Sequence, residues 1–131
     1  MKFLSILTAC LFVLPLCAEE PKPEAAMEYT QPEKPIETTT GHPFTIKLES
    51  NPTTGFGWQL AQSLDGKVVS LVTNTYIQRK AEPRMVGVGG HEYWTFKTVG
   101  QGQTQIAMKY VRSWEKGVPP NKTHVFNVIV K

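Results

Sequence analysis

Apolar and polar residues alternate with a period of two along several segments of the chain after residue 43. Such alternation turns every second side chain to the same face, so it predicts β-strands with one buried face rather than helices. Val68 to Ile77 is a further strand candidate with less regular alternation. The clearest segments carry their apolar residues at Phe44, Ile46 and Leu48, at Trp94 and Phe96, at Ile106, Met108 and Tyr110, and at Phe126, Val128 and Val130.

Turn-forming residues separate these segments, among them Asn51-Pro52, Asp65-Gly66 and Gly100-Gln101-Gly102. Short strands at this spacing predict an all-β fold, an immunoglobulin-like antiparallel β-sandwich of about seven strands over residues 38–131. Trp58 falls on the third predicted strand, where a sandwich of this kind buries a tryptophan. The 40% of apolar residues is enough for a buried core, which excludes wholesale disorder.

Both cysteines of the chain, Cys10 and Cys17, lie near its start. Lys2, a short apolar run and the small Ala18 are typical of a secretory signal peptide, so residues 1–18 are predicted to be removed, leaving a domain with no disulfide. The alternative is a bacterial lipid-attachment site at Cys17, although Leu16 stands where a small residue is usual. The predicted destination is periplasmic or extracellular, with membrane contact only through a lipid on Cys17.

Residues 19–37 differ from the rest in composition. They hold six Glu against two Lys and are interrupted by prolines, which predicts an acidic, extended linker. The whole chain has a formal charge of +3, from 14 basic and 11 acidic residues. Because the linker carries −4, residues 38–131 carry +6, so the folded part is more basic than the total indicates. This excess is too mild to predict nucleic-acid binding.

The sequence offers little for catalysis. The mature chain has no thiol nucleophile and no Gly-x-Ser-x-Gly motif. His42, His91 and His124 lie on separate elements without the spacing of metal ligands. The segment 87–90 lacks the Gly-Lys-Ser/Thr of a phosphate-binding loop. We therefore expect a protein that is not an enzyme and that has no metal and no cofactor.

The more unusual sequences fall on loops. The first loop, residues 51–56, reads Asn51-Pro52-Thr53-Thr54-Gly55-Phe56. Pro52 fixes its own φ and Gly55 permits a positive φ, so this loop is predicted to display two threonines on a stiff tip. The alternative is a tight turn with no further role.

Two further loops stand out. The second loop, residues 85–91, contains Gly87-Val88-Gly89-Gly90, which leaves the backbone approachable by a partner or merely forms a flexible hairpin end. The third loop, residues 112–117, places Arg112 close to Trp114. These two residue types are enriched in binding hot spots, although Trp114 could also fold back onto the sandwich.

In an immunoglobulin-like sandwich, the loops after the second, fourth and sixth strands gather at one end, so the three loops predict a composite binding surface. With these motifs the chain resembles the chagasin-type inhibitors of papain-like cysteine peptidases (inhibitor family I42). The resemblance covers about residues 38–131. It rests on N-P-T-T-G-F at 51–56, G-x-G-G at 87–90 and R-x-W at 112–114, which follows Tyr110.

The resemblance implies a reversible inhibitor whose three loops enter the cleft of a papain-like peptidase without covalent chemistry. It implies that Thr53 lies nearest the catalytic cysteine, that residues 87–90 run along the cleft, and that Trp114 packs on its far wall. The family has a proline between the arginine and the tryptophan where this chain has Ser113. We therefore expect a less preorganised third loop.

A different class of protein is the alternative: an exported immunoglobulin-like adhesion or scaffold module with no peptidase target, displayed on the acidic linker. It accounts equally well for the export segment, the linker and the sandwich. It does not explain why three unusual segments fall on loops that share one end. No feature predicts oligomerisation, so a monomer is expected.

Overall fold

The computed structural model describes residues 26–80 and 87–131, which fold into two packed four-stranded β-sheets. One sheet has the strand order β1-β3-β6-β5 and the other β2-β8-β7-β4. A short 3-10 turn at Pro52–Thr54 joins β3 to β4, and no helix of the described residues is long and apolar enough to cross a bilayer. The strands are β1 (Met27–Tyr29), β2 (Ile36–Thr38), β3 (Phe44–Ser50), β4 (Phe56–Leu60), β5 (Val69–Gln78), β6 (Gly90–Thr98), β7 (Gly102–Arg112) and β8 (Lys122–Val130).

The core consists of the alternating apolar residues of both sheets. The four segments with the clearest alternation all form strands, and each apolar residue named for them is buried. Phe44 stacks on Phe96 at 5.4 Å between ring centroids, in the centre of one sheet. Trp58 is 5% exposed, so its predicted burial is confirmed. Within these four strands, the period-two pattern therefore predicted the apolar side chains that pack between the sheets.

The beginning of the sandwich differs from the prediction. The segment expected to be a linker, residues 19–37, includes β1 and the start of β2 in its described part. β1 pairs in parallel with β3, and β2 pairs in parallel with β8. Ile36 is fully buried between the sheets. The described part of this segment is therefore not a linker, because its backbone is hydrogen-bonded and it contributes a core side chain.

These two short strands also change the predicted topology. Both sheets are mixed rather than antiparallel, and the described residues form eight strands rather than about seven. The three loops consequently follow β3, β5 and β7. The predicted signal peptide at 1–18, with Cys17, lies outside the described residues, as do residues 85 and 86 of the second loop.

Candidate functional site

The three loops lie together at one end of the sandwich. The strand ladders bring their boundaries side by side, because Ser50 and Gln78 both pair with Gly90, while Phe56 pairs with Arg112. Across the two sheets, the Asn51 N–H donates to the Tyr110 hydroxyl at 2.9 Å. The composite end surface predicted from the sequence is thus formed by the fold itself.

The first loop is a capped 3-10 turn. Asn51 is its N-cap, and its Oδ1 accepts from the Thr53 N–H at 3.2 Å and from the Thr53 hydroxyl at 2.5 Å. The Thr54 hydroxyl donates to the Asn51 carbonyl at 2.7 Å. Pro52, Thr53 and Thr54 are exposed, so the turn displays both threonine side chains at the end of the molecule. The hydrogen bonds hold this tip in one conformation.

Gly55 ends the turn and touches the third loop. Its φ of +83° lies in the left-handed region, and the Gly55 N–H donates to the Pro52 carbonyl at 2.9 Å. The edge of the Trp114 indole lies so close that a Cβ at position 55 would overlap Cη2 and come within 3.0 Å of Cζ2. Glycine at this position therefore both permits the turn and leaves room for the Trp114 indole.

The second loop is attached to the first by a side chain. Asn51 Nδ2 donates to the Gly87 carbonyl at 3.0 Å, across 36 residues of sequence. Gly87 is exposed with φ +69°, and Val88 is half-buried. One amide side chain therefore caps the first loop and also links it to the second.

The last two glycines of the 87–90 segment have an internal packing role. A Cβ on Gly89 would come within 3.1 Å of the Ser50 carbonyl, and one on Gly90 would overlap the Ile77 carbonyl. Gly90 is buried as the first residue of β6. The exposed part of this loop is thus centred on Gly87, while Gly89 and Gly90 allow β6 to approach β3 and β5 closely.

Arg112 attaches the third loop to the first. Its Nε donates to the Thr54 carbonyl at 3.0 Å, and Nη1 pairs with Glu115 Oε1 at 3.1 Å. The guanidinium also lies 4.3 Å from the centroid of the Phe56 ring. Three contacts of one planar cation therefore fix the base of the loop.

Trp114 extends from this base into solvent. It is 65% exposed, so apart from its contact with Gly55 it does not fold back onto the sandwich, the alternative left open by the sequence. Its contact with Gly55 leaves most of the indole surface free. An exposed aromatic side chain that is held on one edge is suited to pack against a partner.

Two supporting residues were not predicted from the sequence. Glu92 lies on β6, where Oε2 accepts from the Trp58 N–H at 3.1 Å and Oε1 from Trp94 Nε1 at 3.3 Å. It holds the strand that follows the first loop against the opposite sheet. The signal was present, because Glu92 has the inward parity of Trp94 and Phe96, and an inward-facing charge requires a partner. The second supporting residue that was not predicted is Tyr110, whose hydroxyl accepts from the Asn51 N–H and so anchors the first loop.

The described residues contain no group of three or more His, Cys, Asp or Glu side chains placed to hold a metal ion. His124 stacks on Trp58 at 5.1 Å between centroids, and His91 lies edge-on to Tyr93 at 6.4 Å. Both imidazoles thus pack on neighbouring aromatic rings. What the loop end offers a partner is shape, hydrogen bonds and an aromatic surface.

The comparisons with known proteins match this arrangement. Residues 37–128 match the model of the Chagasin family, peptidase inhibitor I42. The chain belongs to the chagasin family. Amoebiasin-2 of Entamoeba histolytica is 34% identical over 89 residues, which cover 66% of this chain and 68% of that protein. Chagasin of Trypanosoma cruzi is 26% identical over 99 residues, which cover 73% and 86%.

A solved structure gives the same result for the fold. The crystal structure of the cysteine protease inhibitor EhICP2 from Entamoeba histolytica superposes with a TM-score of 0.64 at 26% identity, covering 81% of this chain and 95% of that one. The similarity confirms the immunoglobulin-like sandwich. The family consists of protease inhibitors and not enzymes, so membership favours an inhibitor of cysteine peptidases over an adhesion or scaffold module.

Proposed function

We propose that this inhibitor blocks papain-like cysteine peptidases by inserting the three loops, as one preformed wedge, into the active-site cleft. The observation that carries the proposal is the linkage of the loops: Asn51 ties the first loop to the second, and Arg112 ties it to the third. Thr53 would reach deepest, with Gly87 and Val88 on one side and Trp114 on the other.

The shape of the tip explains why the inhibitor would not be cleaved. A papain-like cleft binds its substrate as an extended chain, whereas residues 52–54 form a 3-10 turn. A coiled backbone does not present a peptide bond in the geometry that attack by the catalytic thiolate requires. Inhibition then follows from occupation of the cleft and is reversible.

Preorganisation supplies much of the affinity. The tip is already fixed by bonds from Asn51 Oδ1 and the Asn51 carbonyl, so little conformational entropy is lost on binding. We expect a standard-size interface of about 1,600 Å² in total, in which Trp114 is the principal anchor and contributes about 2 kcal/mol.

Two substitutions test the wedge against papain. Trp114→Ala is expected to raise the inhibition constant about thirtyfold, which corresponds to the loss of an aromatic anchor. Thr53→Ala is expected to raise it about fivefold, because a hydroxyl at the tip is lost. The matched controls are Val99→Ala and Thr39→Ala, exposed residues at the opposite end of the sandwich. If all four variants are folded and inhibit like the native chain, the loops are not the binding site.

We also propose that the chain is exported as a monomer, in keeping with the signal-like residues 1–18 and the absence of any feature that predicts self-association. Fractionation of cells that express the full chain tests whether it is exported. The Cys17→Ala variant separates lipid anchoring from plain secretion. Membrane association of the native chain that is lost in Cys17→Ala supports a lipid at Cys17. Light scattering at several protein concentrations tests whether the protein is a monomer.

A further inference from the structure

The connection between β7 and β8 continues beyond the third loop as a short apolar segment, Val118-Pro119-Pro120. All three residues are exposed, Val118 to 56%. Loops are ordinarily polar, and a run of exposed apolar residues is unfavourable unless it has a function. These residues lie outside the three loops described above, and we call them the apolar strip.

The apolar strip is fixed at both ends. Gly117 precedes it with a φ of +73°, and the Asn121 N–H that follows it donates to the Tyr110 carbonyl at 3.0 Å. The hydroxyl of Tyr110 accepts from the Asn51 N–H at 2.9 Å. One residue thus connects the end of the strip to the first loop, so the strip lies at the same end of the sandwich as the wedge.

Two successive prolines make the strip stiff. Each ring fixes its own φ, and a residue that precedes a proline is restricted to extended conformations, which applies to Val118 and Pro119. Prolines also have no N–H, so a partner that covers them leaves no unsatisfied backbone donor at either position. The strip can therefore be buried at a small cost in conformational entropy and in desolvation.

The surroundings of the strip indicate which kind of partner fits it. Trp114, the exposed aromatic side chain of the wedge, lies four residues before Val118 in the same connection. Lys116 and Lys122, on either side of the strip in the sequence, are exposed. An apolar centre with a polar rim is the usual composition of a protein interface, and proline rings pack well on aromatic side chains. The strip therefore fits an apolar or aromatic patch with carboxylates at its edge.

We propose that the apolar strip is a second anchor for the inhibited peptidase, in contact with an apolar surface outside the active-site cleft. This inference rests on the proposed function, because the wedge must hold the peptidase at this end of the sandwich. Trp114 packs on the wall of the cleft and the strip packs beyond it. The strip thus contributes to the choice among peptidases with similar clefts, and it acts mainly on the dissociation rate.

Matched substitutions test the strip with papain. Val118→Ser should raise the inhibition constant about fivefold through faster dissociation. Val99→Ser makes the same change at an exposed position at the opposite end of the sandwich and should have no effect. Both valine variants should unfold at the same denaturant concentration as the native chain. Replacement of Pro119 and Pro120 together by alanine should raise the inhibition constant about threefold, because the strip loses its stiffness.

The methyl resonances of the two valines measure the contact directly. In the complex with papain, those of Val118 should shift, whereas those of Val99 should stay as in the free domain. Unchanged Val118 methyl resonances in a complex that is inhibited would show that the strip stays in solvent, and would overturn the inference.

Trp114→Ala is measured alongside, so that failure of the strip and failure of the wedge can be distinguished. If Trp114→Ala weakens inhibition and Val118→Ser does not, the strip makes no contact and the inference is overturned, while the wedge stands. If neither variant weakens inhibition, the wedge is wrong and the strip with it. An equal loss in Val99→Ser and Val118→Ser would also overturn the inference, because the effect would not depend on the end of the molecule.

Discussion

At the scale of single residues, position 55 imposes two requirements that only glycine meets. Its φ of +83° disfavours any side chain, and the Trp114 indole occupies the place where a Cβ would lie. The sequence motif predicts only the first requirement. The second depends on the third loop, which is far away in the chain, so it became visible only in three dimensions.

Gly55→Ala should therefore harm both stability and inhibition. The strained φ should lower the free energy of unfolding by about 1–3 kcal/mol. Displacement of Trp114 should raise the inhibition constant about tenfold. The control is Gly57→Ala, where φ is not positive and no atom lies within 4 Å of the added Cβ. Denaturant unfolding and papain inhibition measure both effects, and equal behaviour of the two variants would contradict the role given to Trp114.

Ser113 stands where the resemblance to the chagasin-type inhibitors leads us to expect a proline. The Glu115 N–H donates to the Arg112 carbonyl at 3.1 Å, so residues 112–115 form a β-turn with Ser113 at its second position. Proline is favoured there, and no hydrogen bond of the described residues uses the Ser113 N–H. Arg112 and its contacts hold the turn in the absence of proline.

Ser113→Pro should consequently be tolerated and mildly beneficial. It should raise the free energy of unfolding by about 0.4–1 kcal/mol, because it restricts the unfolded chain. It should also slow dissociation from papain, because the loop loses less freedom on binding. Ser113→Ala, which lacks the ring, is the control and should change neither value. Faster dissociation of the proline variant would show that the turn needs another conformation in the complex.

At the scale of elements, Asn51 couples two loops through opposite ends of one amide. Its Oδ1 caps the turn at 52–54, and its Nδ2 donates to the Gly87 carbonyl. A carboxylate at this position keeps the acceptor and removes the donor, so the two roles can be separated by substitution.

Asn51→Asp should preserve stability to within about 1 kcal/mol, because the cap remains, but should weaken papain inhibition, because the second loop is released. Asn51→Ala removes both roles and should lower the free energy of unfolding by about 0.5–2 kcal/mol while weakening inhibition further. Thermal unfolding and inhibition constants of the two variants provide the test. If Asn51→Asp inhibits like the native chain, the link to Gly87 does not matter for binding.

The elements also show what the sequence could and could not predict. Long strands were predictable because alternation in β3, β6, β7 and β8 reflects burial directly. β1 and β2 are three residues each, too short to show a period, and their pairing partners are distant. The three loop motifs were predictable as motifs. Their linkages were not, since Asn51–Gly87 spans 36 residues and Arg112–Thr54 spans 58.

At the scale of the whole molecule, the sandwich separates stability from binding. The wedge lies at one end, where β3, β5 and β7 finish. At the other end, the Lys131 N–H donates to the Thr38 carbonyl at 2.9 Å, and the Thr40 N–H donates to the Lys131 carbonyl at 3.2 Å. β2 thereby secures the last strand of the chain, and its Ile36 fills the core. Changes in β2 should act on folding and leave the loops in place.

Ile36→Ala should lower the free energy of unfolding by about 2–5 kcal/mol, because it leaves a cavity between the sheets. The inhibition constant for papain should stay unchanged at temperatures where the variant remains folded. Val125→Ala, on the exposed face of β8, is the control and should change neither quantity appreciably.

Shortened domains test the same role of β2. A domain that starts at residue 26 should match the native protein in both stability and inhibition. A domain that starts at residue 38 loses β1, most of β2 and Ile36, so it should unfold much more readily. Equal stability of the two shortened domains would restore the view that residues 19–37 are only a linker.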